Sequence, residues 1–235
     1  MNISNLAPDY IRAIAPYQGG KPISEIARAY GIDETDIVKL ASNENPLGIS
    51  AKAQLAIEDA VTDIARYPDG NSYLLREAVS KKFGVSAEQI VFGNGSNDIL
   101  ELCARAFLQL GDEAIFSQHA FAVYPLVTQA VGAKGVVVAA KNFAHDLDGF
   151  IQAINGKTRL IFIANPNNPT GTLIEKAKLK IFLQHVPKNI LVVLDEAYDE
   201  YLSVDDKSEA IDWLSEFNNL IISRTFSKAY GLAGL

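Results

Sequence analysis

Sulfur and imidazole are scarce in this chain of 235 residues, which has one cysteine, one methionine and three histidines. A lone Cys103 cannot close an internal disulfide, and His119, His145 and His185 do not fall at metal-ligand spacing. A disulfide-stapled scaffold and a zinc site are thereby excluded, and the cytoplasm is the expected compartment. No run approaches the roughly 18 apolar residues of a membrane-spanning helix. The opening MNISNLAPDYIRAIAPYQGG has no basic segment followed by an apolar one, so no export signal is expected. Dense stretches of lysine and arginine are missing too. Twenty-one Lys and Arg against 28 Asp and Glu leave a net charge of −7, which excludes a broad grip on nucleic acid while allowing a small anion site. Sixteen glycines and nine prolines are too few for a collagen-like or disordered chain.

What is present is an ordinary globular composition, 49% hydrophobic and 21% charged. At roughly 150 residues per domain, the length suits one large domain or a domain and a half. Pro8, Pro16, Gly19 and Gly20 mark the first twenty residues as an arm carrying a helical turn or two, and a short helix over Lys21–Tyr30 with Ser24 as its N-cap completes an N-terminal segment of residues 1–35. From residue 36 to 235 the chain reads as one unit. Ile37–Ala41 is an expected strand. Ser50 caps an amphipathic helix reaching Ile64, and a second amphipathic helix runs from Ser72 to Phe83.

Short apolar runs then alternate with helical segments. Strands are expected at Ile90–Phe92, Ala114–Phe116, Val136–Ala140, Leu160–Ala164, Ile190–Leu194 and Leu220–Ile222. Helices are expected after Gly93–Ser96 and near Val123–Val131, Gly149–Ile154 and Glu175–His185. This alternation indicates an α/β protein: a mostly parallel sheet covered by helices on both faces, three layers in all.

Four strand ends carry turn chemistry, and open α/β sheets bind ligands at the carboxyl ends of their strands. Gly93-Asn94-Gly95-Ser96-Asn97 leads into a helix, which makes it either an anion cradle of free N–H groups or a plain tight turn. Asn165-Pro166-Asn167-Asn168-Pro169-Thr170-Gly171 has prolines that stiffen it, so its asparagines are presented rigidly, as hydrogen bonding to a planar ligand requires. Asp195-Glu196 ends a buried run. Without a phosphate-binding GxxxxGK[ST] loop it reads as an acid facing a cationic nitrogen or as a solvated strand end. Ser223–Gly231 sets Lys228 beside Arg224 and two hydroxyls. A lysine near another cation and partly desolvated becomes an amine nucleophile able to form a Schiff base; a surface lysine is the plainer alternative.

These four segments in this order resemble the fold-type-I pyridoxal-phosphate aminotransferases. Within that family, Leu40-Ala41-Ser42-Asn43-Glu44-Asn45-Pro46, Arg66-Tyr67-Pro68-Asp69 and Ser223–Leu235 resemble the histidinol-phosphate aminotransferases of histidine biosynthesis. The resemblance implies pyridoxal 5'-phosphate as cofactor, attached to Lys228, which also moves the substrate proton. It implies Asp195 against the ring nitrogen, and Asn168 and Tyr198 on the ring hydroxyl. Ser96, Asn97, Thr225 and Ser227 would hold the cofactor phosphate, and Phe121 would stack on the ring where the family commonly carries tyrosine. Tyr67 would reach the phosphate of a neighbouring subunit's site, and Tyr17 would meet substrate.

The resemblance further implies a homodimer with shared sites, 2-oxoglutarate as amino acceptor, and no nucleic-acid or membrane partner. The family's later arginines and small domain have no counterpart before Leu235, so the chain reads as the N-terminal part of a longer enzyme, doubtfully active alone. Two alternatives stay open: an aromatic or other aminotransferase or a decarboxylase of the same fold, and a non-catalytic remnant.

Overall fold

Residues whose side chains alternate between two apolar environments make the centre of the molecule, described for residues 2–235 by a computed structural model. Met1, the first residue of the expected arm, lies outside the described residues. The helices, in chain order, are α1 (Asp9–Arg12), α2 (Ile23–Tyr30), α3 (Ala51–Ala60), α4 (Tyr73–Phe83), α5 (Gly95–Phe107), α6 (Val123–Ala130), α7 (Leu147–Ala153) and α8 (Lys176–His185). The strands are β1 (Glu113–Ser117), β2 (Lys134–Val138), β3 (Thr158–Ala164), β4 (Leu191–Asp195) and β5 (Leu220–Ser223). They form one sheet in the order β2-β1-β3-β4-β5, every neighbouring pair parallel.

The strand period of two sorts the core. Ile115, Ile161, Ile163, Val192 and Leu194 face one side, against Phe150 of α7, Leu179 and Phe182 of α8, and Trp213. Ala114, Phe116, Leu160, Phe162 and Val193 face the other, against Leu100 and Ala104 of α5 and Tyr124 and Val127 of α6. Ile161, Phe162 and Ile163 are completely buried, and each contributes about 1.5–3 kcal/mol by leaving water. The expected three-layer α/β architecture is therefore the observed one.

Because every strand is parallel, their carboxyl ends share one edge. Ala164 pairs with Asp195 and Asp195 with Ser223, so the turns that follow β3, β4 and β5 start side by side. That register positions the site.

Several expectations need correction. Ile37–Ala41 and Ile90–Phe92 form no strand. Val38 and Leu40 are exposed, and the Ile90 carbonyl, which a ladder would need, is taken by the Arg76 guanidinium. The second strand lies at Lys134–Val138 rather than Val136–Ala140, because its extent follows its pairing with Glu113–Ser117. Ser24 is inside α2, which starts after Pro22 with no side-chain cap. Ser50 does cap α3, its hydroxyl accepting from the Ala53 N–H at 3.2 Å. Neither α3 nor α4 buries a residue completely, however, and much of their apolar surface stays exposed. The N-terminal arm folds back onto α6, where Gln129 Nε2 donates to the Tyr10 carbonyl at 2.9 Å. Among the described residues no helix is long and apolar enough to cross a membrane.

Candidate active site

β4 ends on Asp195, whose side chain is enclosed by the protein. Tyr124 Oη donates to its Oδ2 at 2.8 Å and the Ala197 N–H to its Oδ1 at 3.3 Å. Asp195 forms no ion pair among the described residues. Burial pushes its carboxyl up to about 6, with the Tyr124 hydrogen bond working against the rise. Tyr124 is itself fully buried, stacked on Phe162 with centroids 4.8 Å apart and meeting the edge of Phe121 at 5.9 Å. Sequence reasoning missed Tyr124. Its one signal was a second aromatic three residues after Phe121, at a spacing that also describes plain helical core.

The turn after β3 is tied internally. Asn165 Oδ1 accepts from the Ile174 N–H at 2.7 Å, and the Gly171 N–H donates to the Asn167 carbonyl at 2.8 Å. Asn167 Nδ2 donates to the His119 carbonyl at 2.9 Å, while its buried Oδ1 has no partner among the described residues. Asn168 Nδ2 reaches Tyr198 Oη at 3.3 Å, and Asn43 Nδ2 reaches the same oxygen at 3.0 Å. Asn43 was singled out in the sequence only as part of a motif, without a role.

The turn after β5 carries Lys228. Its Nζ lies 5.9 Å from the centre of the Tyr198 ring and donates to the Ser42 carbonyl at 3.0 Å. Desolvation holds this amine below the usual lysine range, while Glu44 and Asp195 oppose the shift. The cause differs from the expected one. Arg224 does not crowd Lys228; it turns onto Glu196 at 2.7 Å, Asp199 at 2.9 Å and Glu200 at 3.4 Å, with Phe83 under its guanidinium at 5.2 Å. Behind Lys228, Thr225 Oγ1 accepts from the Ser227 N–H at 3.0 Å.

At the start of α5, Gly95 takes φ +77°, a backbone that glycine adopts without strain. Asp98 accepts from the Asn94 N–H at 3.0 Å, and the N–H groups of Ser96 and Asn97 fall in the first turn, where a helix offers no acceptor. α5 packs across β3, β4 and β5. The N-terminal segment closes from the other side. Asn45 Nδ2 donates to the Ala229 carbonyl at 2.9 Å, and Gly231 sits so tightly that an added Cβ would lie 2.4 Å from the Gly48 carbonyl oxygen. A cavity of about 450 Å³ opens here, lined by Asn43, Glu44, Pro166, Asn168, Tyr198 and Tyr201 among others.

The structure thus joins Asp195, Tyr198, Asn168 and Lys228 in one cluster, with Phe121 linked through Tyr124. Tyr17 is exposed but near enough to act on the Tyr198 phenol. Tyr67 is fully exposed beside Asp63 and Arg66 and is not brought to the cluster.

Residues 35–235 match the family described as aminotransferase class I and II. A histidinol-phosphate aminotransferase of Methylobacillus flagellatus is 66% identical over 98% of this chain and 62% of its own length. A second, from Nitrosospira multiformis, is 58% identical over 100% of this chain and 60% of its own length. The crystal structure of histidinol-phosphate aminotransferase from Sinorhizobium meliloti in complex with pyridoxal-5'-phosphate superposes with a TM-score of 0.87 at 29% identity, covering 96% of this chain and 60% of that one. The chain spans about three fifths of the curated relatives it matches. With a family match over most of its length and this arrangement at its strand ends, the chain belongs to the class I and II aminotransferases.

Proposed function

We propose that this chain is the cofactor-binding part of a pyridoxal-phosphate-dependent histidinol-phosphate aminotransferase. The reaction would move the amino group of L-histidinol phosphate to 2-oxoglutarate, giving imidazole acetol phosphate and glutamate in the cytoplasm. The observation that carries this reading is a buried Asp195 carboxylate that forms no ion pair among the described residues, in the same cluster as a desolvated amine, Lys228. An unpaired buried carboxylate is costly, and a protonated ring nitrogen is the partner that would remove the cost. The relatives' names support the substrate class.

The residues present fit the cofactor. Bound pyridoxal phosphate supplies an electron-accepting ring that weakens the substrate's Cα–H bond. Asp195 would hold the proton on the ring nitrogen, and Tyr124 keeps that carboxylate oriented and ionised. Lys228 Nζ would be the covalent attachment point and then carry the proton to and from the substrate Cα; desolvation, which lowers its proton affinity, favours the free amine that both roles need. Asn168 and Tyr198 would bind the ring hydroxyl, and Phe121 would cover the ring face. The Ser96 and Asn97 N–H groups, with the Thr225 and Ser227 hydroxyls, would bind phosphate at the positive end of α5.

In this reading residues 1–35 are an arm and residues 36–235 the large cofactor-binding domain. The protein is a homodimer in which Tyr67 serves the neighbouring site and Tyr17 meets substrate. The described residues expose 14931 Å², against roughly 10,400 Å² for a compact monomer of this mass, so surface is left for further polypeptide to cover.

Two measurements test the proposal. Reduction of the pyridoxal-phosphate-loaded protein with borohydride, followed by peptide mapping, should label Lys228; a label on another lysine overturns the assignment. Single-turnover reaction with histidinol phosphate should be faster than with phenylalanine, and the reverse order would move the substrate to the aromatic amino acids.

A further inference from the structure

We infer that Asn43 is a positioning residue which, with Asn168, leaves the Tyr198 hydroxyl able only to donate, and so directs its proton to the oxygen of a bound ligand. The inference rests on the pyridoxal-phosphate reading for the identity of that ligand. Its physical basis lies in one oxygen atom. A phenol has a single proton to give and an acceptor side. Asn43 Nδ2 at 3.0 Å and Asn168 Nδ2 at 3.3 Å both donate to Tyr198 Oη, from segments 155 and 30 residues away. Tyr198 Oη donates to no group among the described residues. With its acceptor side occupied by two amides, the hydroxyl has one capacity left. Asn43 and Tyr198 line the same cavity, so that capacity is available to an occupant.

The approach of Asn43 is built rather than incidental. Its backbone takes φ +50°, a conformation asparagine tolerates better than most residues. The preceding residue is held by Lys228 Nζ on the Ser42 carbonyl, and the following turn by Asn45 on the Ala229 carbonyl. The segment therefore presents an amide at a chosen place on the turn that bears Tyr198. The hydrogen bond from Asn43 also favours the ionised phenol, opposing burial and the nearby Asp195, Tyr201 and Tyr17, which disfavour it.

Two substitutions that keep the left-handed backbone accessible separate donation from mere packing. Asn43→Gly removes the amide. Asn43→Asp replaces a donor with an acceptor that would capture the Tyr198 proton. In the cofactor-free protein, the Tyr198 titration, read by ultraviolet absorbance against Tyr198→Phe, should move to higher pH in Asn43→Gly and further in Asn43→Asp. Equilibrium affinity for pyridoxal phosphate should fall about 3- to 10-fold in Asn43→Gly, the worth of one neutral hydrogen bond, and about 10-fold or more in Asn43→Asp. Equal effects of the two substitutions, or an unmoved Tyr198 titration, would overturn the inference. A wild-type protein that fails to take up pyridoxal phosphate would instead sink the functional reading, while the Tyr198 titration would still decide the role of Asn43.

Discussion

Asp195 shows how a single residue can oppose folding where the proposed function needs it. Its ordinary value of 3.8 rises to about 6 in the fold, so the native state binds the proton more tightly than the unfolded chain does. Burying this side chain therefore carries no ionisation cost below about pH 3.8, and a cost of about 3 kcal/mol once the pH has risen past the folded value. Asp195→Asn, neutral at every pH, should match wild type near pH 4 and exceed it by about 1–3 kcal/mol at pH 8 in urea denaturation without cofactor. Equal stability at pH 8 would mean the carboxylate already has a compensating partner. In loaded protein the same substitution should slow the amino-transfer half-reaction more than it weakens cofactor binding, because an amide cannot hold a positive charge on the ring nitrogen.

The elements matter here through their ends. β3, β4 and β5 stop in register, and the turns that follow converge because the strands are parallel. Arg224 locks two of these turns together. It begins the turn after β5 and pairs with Glu196, Asp199 and Glu200 of the turn after β4, the stretch that contains Tyr198. A third constraint comes from the N-terminal segment at Gly231, where φ is +71° and the Gly48 carbonyl fills the space a side chain would need. Gly231→Ala should destabilise the protein by about 2 kcal/mol or more. It should also weaken pyridoxal-phosphate binding by displacing residues 42–48 from Lys228. Urea melts and a cofactor titration of the same variant check both effects, and an unchanged pair of curves would mean the two segments do not depend on each other.

At the scale of the whole molecule, α3, Tyr67 and α4 form a region that buries no residue completely. Leu55, Val61, Ile64, Tyr67 and Leu74 are all exposed. A second subunit there would cover apolar surface and carry Tyr67 to the neighbouring site. The test is complementation. Lys228→Ala and Tyr67→Ala proteins should each be poorly active, whereas refolding them together should restore roughly a quarter of wild-type activity, since half of randomly formed dimers are hybrids with one intact site. No recovery above the two separate proteins would place Tyr67 outside the partner's site.

Composition, period and turn chemistry determined much of this protein without any structure. The strands β1, β3, β4 and β5, the helices between them and the order of the strand-end motifs follow from local pattern, because cover on both faces of a parallel sheet leaves continuous apolar runs and turns demand particular residues. Asp195, the asparagines of residues 165–171 and Lys228 stood out locally, at or just beyond the ends of apolar runs, whereas Tyr198 was marked by the family resemblance alone. Ile37–Ala41 and Ile90–Phe92 read equally well as strands, yet a strand exists only where a neighbour completes its ladder, which a local pattern does not encode. Tyr124 meets Asp195 across 71 residues and Asn43 meets Tyr198 across 155. Contacts of that separation depend on the register of parallel strands and the path of the N-terminal segment, so only the tertiary structure could decide which phenol steadies the carboxylate and which amide turns a hydroxyl into a donor.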